Sequence, residues 1–180
     1  MSLESARLIL RQWQERDRDA FAAIVADPEV MRFYPATRLR QEADAWIDRM
    51  IARYEDGTSS FMAVERKSDG ALMGMLGTGS ITFPIPTAPR LEIGWLLGKQ
   101  YWGQGYAPEG ALVMLAHAFD TLHAPDVVAF TAALNAPSQR VMEKLQMLRD
   151  PSADFEHPNV PPGNPLRPHV LYRILNPNRP

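Results

Sequence analysis

The stretch from Glu92 to Glu109, EIGWLLGKQYWGQGYAPE, constrains this chain more than any other. Apolar residues lead into a loop with Gly103 and Gly105, and Pro108 then opens a segment of helical apolar period. A strand, a glycine loop and a helix in immediate succession leave the first helix amides unpaired. Those amides, with the positive end of the helix dipole, form an anion site. Glycines let a phosphate approach the backbone closely, so the ligand expected is a pyrophosphate. A dinucleotide fingerprint would need a third glycine at position 108, where Pro108 stands, and a nucleoside triphosphate loop would need a Gly-Lys-Ser/Thr run that is absent.

The rest of the chain supplies a sheet around that strand. Ala6 to Trp13 alternates, with Leu8 and Leu10 on one face and Arg7, Ile9 and Arg11 on the other, which predicts a strand. From Asp17 the period lengthens, and Phe21, Ile24 and Val25 mark a helix that Asp27-Pro28 ends. Between Arg40 and Glu55 apolar residues recur at three- and four-residue steps before Gly57, the pattern of an amphipathic helix. Ser60 to Arg66, Leu72 to Phe83 and Arg90 to Leu97 read as strands separated by a Ser68-Asp69-Gly70 turn and by Pro84 to Pro89. Gly74, Gly77 and Gly79 inside the middle strand point to a bend or to the close approach of another backbone. Pro108 to Leu122 is a helix whose apolar face carries Leu112, Leu115, Ala118, Phe119 and Leu122, with His117 on the exposed side. Asp126 to Ala133 is a strand, Pro137 to Leu145 a helix, and His169 to Leu175 a final strand. Strands in a block with helices interspersed predict a mixed sheet with helices on both faces.

Composition removes whole classes of function. The 180 residues suit one domain over 1–180, and 46% apolar with 22% charged residues is enough to build a core. Zero cysteines exclude a disulfide scaffold, a thiolate zinc site, an iron–sulfur cluster and a cysteine nucleophile. His117, His123, His157 and His169 lack metal-ligand spacing, so no metal is expected. A net charge of -2 gives no general field for nucleic acid or an anionic membrane, and neither is expected as a partner. Met1 to Arg11 has no apolar signal core, and no apolar run approaches the roughly 20 residues of a membrane span. A cytoplasmic protein is therefore expected.

Gln100-Tyr101-Trp102-Gly103-Gln104-Gly105 matches Gln/Arg-x-x-Gly-x-Gly/Ala and resembles the coenzyme A loop of the GCN5-related N-acetyltransferases, the GNAT superfamily. Three segments resemble its ribosomal-protein N-terminal acetyltransferase branch. They are Leu3 to Tyr34, with Arg7-Leu8-x-Leu10-Arg11, Asp17 and Asp27-Pro28-Glu29-Val30; Tyr101 to Glu109; and Asn135-x-x-Ser138-x-x-Val141-Met142-Glu143-Lys144-Leu145. The resemblance runs along essentially the whole chain. It implies an α+β (mixed α/β) fold with a central mixed sheet of six or seven strands, splayed between the fourth (Arg90 to Leu97) and the fifth (Asp126 to Ala133). It implies acetyl-CoA as acetyl donor, its pantetheine arm pairing as a pseudo-strand with Trp95, Leu96 and Leu97. Gln100, Tyr101, Trp102, Gly103, Gln104, Gly105, Tyr106 and Ala107 then hold the pyrophosphate, and Asn135 and Ser138 contact the cofactor. The acceptor implied is a primary amine, on a protein N-terminus or a small molecule, attacking the thioester directly in a ternary complex. Monomer and homodimer both fit.

An amine is mostly protonated at pH 7, so a group in the cleft must take a proton, directly or through water. Glu92 is the first choice, the alternative being a salt-bridged or solvated strand residue. A backbone amide near Leu96 would stabilise the oxyanion. Met142 stands where many relatives carry a tyrosine that protonates the leaving thiolate. Ser138, a water, or unassisted departure then remain for that step, and so does a second reading, a non-catalytic acyl-CoA sensor. Gln146-Met147 replaces the usual Gly-Phe and alters a turn. Phe33 and Tyr34 either pack or touch the acceptor, Trp46 and Met50 read as core, and Arg140 and Lys144 either reach a cofactor phosphate or are solvated. Half of the 16 prolines fall after Arg149. On the family order Pro151 to Pro168 becomes the connection between the last two strands, and loops of this length are often functional. Phe155 to His169 is expected to be ordered at least in part and to form one wall of the acceptor site, with His169 touching substrate and only Asn176 to Pro180 left as tail.

Overall fold

Period-two alternation decides which helix each strand residue meets. The structure, a computed structural model, describes residues 2–57, 61–86 and 91–178. Its strands are β1 (Ser2–Glu4), β2 (Leu8–Arg11), β3 (Met62–Arg66), β4 (Leu72–Ser80), β5 (Leu91–Leu97), β6 (Asp126–Ala132), β7 (Leu148–Arg149), β8 (Phe155–Glu156) and β9 (Pro168–Leu175). The helices are α1 (Arg18–Ala26), α2 (Arg40–Glu55), α3 (Tyr106–Asp120) and α4 (Ala136–Lys144). The sheet runs β1-β2-β3-β4-β5-β6-β9-β7, with β8 also on β9. Every pairing is antiparallel except β5 with β6. This is an open-sheet α+β fold with helices on both faces.

Leu8, Leu10, Met62, Val64, Leu76, Ile93, Leu97, Val127, Ala129, Val170 and Tyr172 share a core with α3 and α4. Ala63, Leu72, Met75 and Leu96 share the opposite core with Phe21, Ile24 and Val25 of α1 and Ala43, Ile47 and Met50 of α2. Leu96 therefore faces α1 and α2, and Glu92, four residues earlier on the same strand, lies on that face too. An ion pair ties β2 to α1. Both terminal nitrogens of Arg11 donate to the Asp17 carboxylate, at 2.7 and 2.8 Å, and both residues are buried. Arg7 and Ser5 hold Glu109 in the first turn of α3, with bonds of 2.7 to 2.9 Å. These contacts account structurally for Arg7, Arg11 and Asp17 of the N-terminal motif.

Two glycines are explained by geometry. Gly74 has φ +142, and a Cβ there would meet the Leu96 carbonyl oxygen at 2.1 Å, the close backbone approach expected within β4. A Cβ on Gly110 would sit 3.0 Å from the Leu76 side chain, so this glycine lets α3 lie close on the sheet.

Several expectations need correction. The sheet has nine strands among the described residues rather than six or seven, because β1, β7 and β8 are two- and three-residue additions. The first expected strand is shorter than Ala6 to Trp13, and the third ends at Ser80 rather than Phe83. The strand starts at Ser60 and Arg90 lie outside the described residues. Leu112 and Leu122 are 57% and 47% exposed, whereas His117 is buried. The buried stripe of α3 is Gly110, Ala111, Met114, Leu115 and Ala118, and His117 lies one turn beyond Met114, on its flank. The chain then turns back over the helix end, with Leu122 N–H on the His117 carbonyl and Ala124 N–H on that of Ala118. Burial lowers the His117 pKa, so the ring sits there neutral at pH 7.

Candidate active site

Among the described residues the parallel pair β5 and β6 is joined only at Leu91 with Val127 and Glu92 with Val128. Beyond that point β5 runs on to Leu97 and β6 to Ala132 with no register between them. The edge of β5 that faces β6 thus opens into a seam, and its free backbone groups require partners. This is the splay expected between the fourth and fifth strands, displaced by one in number because β1 is a separate strand.

A cavity of about 880 Å³ follows the seam. At the C-terminal end of β5 its walls are the loop and helix start with Trp102, Gly103, Gly105, Tyr106 and Ala107. Gly103 and Gly105 have φ +74 and +81, which only glycine adopts without strain. Gly105 caps α3 in the left-handed region and leaves the first amides of that helix pointing outward. Trp102 is fixed by its indole N–H on the Leu97 carbonyl at 2.8 Å. An extended ligand with an anion at one end and hydrogen-bonding groups along its length fits this arrangement.

The residues named from sequence mostly converge here. Glu92, Trp95, Leu96, Leu97, Tyr101, Trp102, Gly103, Gly105, Tyr106, Ala107, Asn135, Ser138, Phe33, Tyr34 and His169 all line the cavity. Gln100 and Gln104 are not among its lining. Gln104 Nε2 instead donates to the Gln100 carbonyl at 2.8 Å, and the Gln100 side chain packs beside Gly98, so both stiffen the loop from behind. Asn135 caps α4: its Oδ1 accepts from Ser138 N–H at 3.2 Å, and its amide donates to Thr131 Oγ1 and Ser138 Oγ at 2.8 and 3.1 Å. Ser138 Oγ is an acceptor in that contact, which leaves its own hydroxyl hydrogen to donate. Met142 is 2% exposed at the cavity wall, a thioether with no proton to give. Trp46 and Met50, read as core, do join the core with α1, and both also border the cavity.

Glu92 is half-buried at the last paired position of β5, on the face of α1 and α2. Burial pushes its carboxyl up to about 7, against a smaller downward pull from Arg53. Tyr34 lies nearby. Burial, together with the charge of Glu92, raises its phenol to about 12, and Arg38 works in the opposite direction. Edge-on ring contacts from Trp13 through Phe21 and Trp46 hold Tyr34 in place, with centroids 4.9 to 6.3 Å apart.

The connection to β9 forms the far wall. Phe83, Phe130, Phe155, His157 and His169 make one cluster, with ring centroids between 4.6 and 6.3 Å. His157, Asn159, Val160 and His169 border the cavity, and Arg167 bonds the Val160 carbonyl to hold the loop. His169 Nδ1 lies 3.0 Å from the Arg167 carbonyl, which can only accept, so Nδ1 carries the proton and Nε2 is bare. Desolvation lowers both imidazoles, His157 to about 4 with further help from His169 and Arg167. Of the Phe155–His169 segment, His157, Asn159, Val160 and His169 thus stand against the cavity. Sequence reasoning missed Phe130 and the arginines Arg32, Arg38, Arg49 and Arg53, and covered His157 only as part of the Phe155 to His169 wall. The only available signal was the four-residue spacing of Arg49 and Arg53 beside the apolar stripe of α2.

Residues 7–148 match the model of the acetyltransferase (GNAT) domain, a family that uses acetyl-CoA. The N-acetyltransferase YnaD of Bacillus subtilis, itself uncharacterized, is 27% identical over 176 residues, covering 97% of each chain. The GNAT-family acetyltransferase structure from Bacillus anthracis superposes with a TM-score of 0.80 at 25% identity, covering 98% of this chain and 99% of that one. The ribosomal-protein-S5-alanine acetyltransferase of Vibrio fischeri shares the fold, with a TM-score of 0.77 at 16% identity over all of both chains. The match over most of the chain, a seam opening at Glu92 and a glycine loop at its far end place this protein in the GNAT acetyltransferase family.

Proposed function

We propose that this chain acts as one catalytic domain that transfers the acetyl group of acetyl-CoA to a primary amine by direct attack in the seam between β5 and β6. The observation that carries the reading is the end of strand pairing at Glu92, which leaves a half-buried carboxyl beside an open strand edge. Acetyl-CoA supplies an activated thioester. The amides of the Tyr101–Ala107 loop bind its pyrophosphate at the start of α3, and Trp95, Leu96 and Leu97 offer backbone groups to the pantetheine amides.

Glu92 takes the proton of the incoming amine, directly or through a water. A carboxyl near 7 is poised for this, since a base works best when its pKa lies near the working pH. The Leu96 amide stabilises negative charge developing on the carbonyl oxygen. Ser138 directs its free hydroxyl hydrogen at the leaving sulfur, the role Met142 cannot fill. Tyr34 keeps its proton throughout the physiological range and donates a hydrogen bond in the cleft, with Phe33 and His169 as further acceptor contacts. The acceptor is a small-molecule amine or a protein N-terminus, and likeness to the ribosomal-protein acetyltransferases supports the second through the fold alone.

Met142 also supports a second reading, an acyl-CoA sensor without turnover. Calorimetry with acetyl-CoA, followed by thiol release across a panel of amines, separates the two. Binding with turnover that Glu92→Gln removes establishes the transferase. Binding with only hydrolytic background favours the sensor, and absence of binding at millimolar acetyl-CoA rejects both.

A further inference from the structure

The cavity is far more basic than the chain that builds it. Six Lys and Arg residues line it against Glu29 and Glu92, although the whole chain has 19 basic and 21 acidic side chains. Glu29 is already engaged by Lys99 at 2.7 Å. Three of the cations lie toward the anion loop: Arg32 stacks on Trp102 at 4.8 Å, and Arg140 and Lys144 stand on α4. The other three, Arg38, Arg49 and Arg53, come from α2 and the segment leading into it.

This second group sits by Glu92 and not by the cofactor phosphates. Arg53 acts on the Glu92 carboxyl, and Arg38 acts on Tyr34, which also feels Glu92. Arg49 is one turn before Arg53 on α2, so the two share a face. From Glu92 to Leu97 the strand advances about 16 Å at roughly 3.3 Å per residue, which separates these arginines from the loop amides. Arg38 and Arg49 have no ion-pair partner among the described residues. Unpaired guanidiniums around an amine-binding cleft repel an acceptor that is only a cation. Arg53 already donates to the Ser80 carbonyl at 3.0 Å, and an acceptor that is also an anion satisfies Glu92 together with Arg38 and Arg49.

We propose that the acceptor is a primary amine carrying its own anionic group, a carboxylate or phosphate a few bonds from the nitrogen, held by Arg38 and Arg49. The proposal rests on the transferase reading above. A free amino acid or an amino phosphate supplies such a group, and so does a peptide with an acidic residue beside its N-terminus. The arginine fork suits either oxyanion through paired N–H donors.

Acetyl transfer measured on matched amines tests this: phenylalanine against phenethylamine, phosphoethanolamine against ethanolamine, and a tetrapeptide with glutamate at its second position against the same peptide with lysine there. The expected result is a kcat/KM at least about tenfold higher for the anionic member of whichever pair is turned over, the scale of one charged hydrogen bond. The pair with the larger value identifies the source of the anion. Arg49→Gln, at an exposed position, raises KM for the anionic acceptor by about tenfold without changing KM for acetyl-CoA, and Arg49→Glu reverses the preference. Equal use of both members, preference for the cationic one, or loss of acetyl-CoA affinity in Arg49→Gln would overturn the proposal. If calorimetry finds no acetyl-CoA binding, the transferase reading falls first. Binding and turnover without charge preference overturns this inference alone.

Discussion

The two ends of the seam are built by different means. The end at the start of α3 is a single run of chain from Leu97 to Ala107, and it presents backbone amides freed by Gly103 and Gly105. The end at Glu92 is assembled from the α1–α2 connection, α2, β5, β6 and the segment leading into β9, and it presents side chains. A backbone site is indifferent to most substitutions and can serve one cofactor across a family. A side-chain site from five separate segments can change its chemistry one residue at a time, and acceptor choice belongs there.

The largest expected effect lies at the backbone end. Gly105→Glu forces a non-glycine residue into the left-handed position that opens α3, with its Cβ 3.5 Å from Arg7 Nη2, and adds a negative charge to the loop, so calorimetry should find acetyl-CoA binding abolished. Binding retained within a few-fold would remove the loop from the cofactor site. At the other end, Glu92→Gln should lower kcat by about 10²–10⁴-fold, the usual worth of a general base, and leave the acetyl-CoA Kd unchanged. It should also stabilise the protein at pH 8. A carboxyl raised to about 7 by burial binds its proton more tightly folded than unfolded, so its contribution to stability falls as pH rises from about 4.5 to 7. Denaturant melts should show the variant more stable than the parent at pH 8 and level with it near pH 4.5.

A third substitution tests whether the acceptor end depends on its scaffold. Asp17→Ala leaves the Arg11 guanidinium buried without its main partner, where α1 joins the sheet. Glu65 still accepts from Arg11 Nε at 2.8 Å, so the expected loss in chemical denaturation is about 1.5–3 kcal/mol, the range for a hydrogen bond to a charged group. A loss below 1 kcal/mol would show that α1 and its connection are held by packing alone. The smallest effect concerns Gln146, a non-glycine residue with φ +60 just after α4. Gln146→Gly should raise stability by about 0.5–1 kcal/mol by removing left-handed strain from a non-glycine residue.

The same contrast explains what could be read from sequence. The strand, the glycine pair and Pro108 are adjacent in the chain, so the anion loop and the seam beside it were legible before any contact was known. Glu92 could be named because it lies on that same strand. Arg38, Arg49 and Arg53 could not, because a charged residue flanking an apolar stripe reads as a solvated one until the helix is docked against the sheet. Phe130 and His157 lie 27 residues apart in the chain yet stack at 6.2 Å, a contact that no periodicity encodes. His117 and Leu112 exchanged places for a related reason: the sheet selects which flank of the apolar stripe on α3 is covered, and Gly110 and Ala111 let it press closer on one side.

The central claim is that a carboxyl at the mouth of the seam accepts the proton of the acceptor amine. Its most direct test is kcat for amine acetylation, at saturating acetyl-CoA and acceptor, measured from pH 5 to 9 in the parent and in Glu92→Gln. The account predicts a parent rate that rises through a pKa near 7 and then levels off, and a variant that is slower throughout and lacks that inflection. A variant with the parent's rate and the parent's inflection would contradict it.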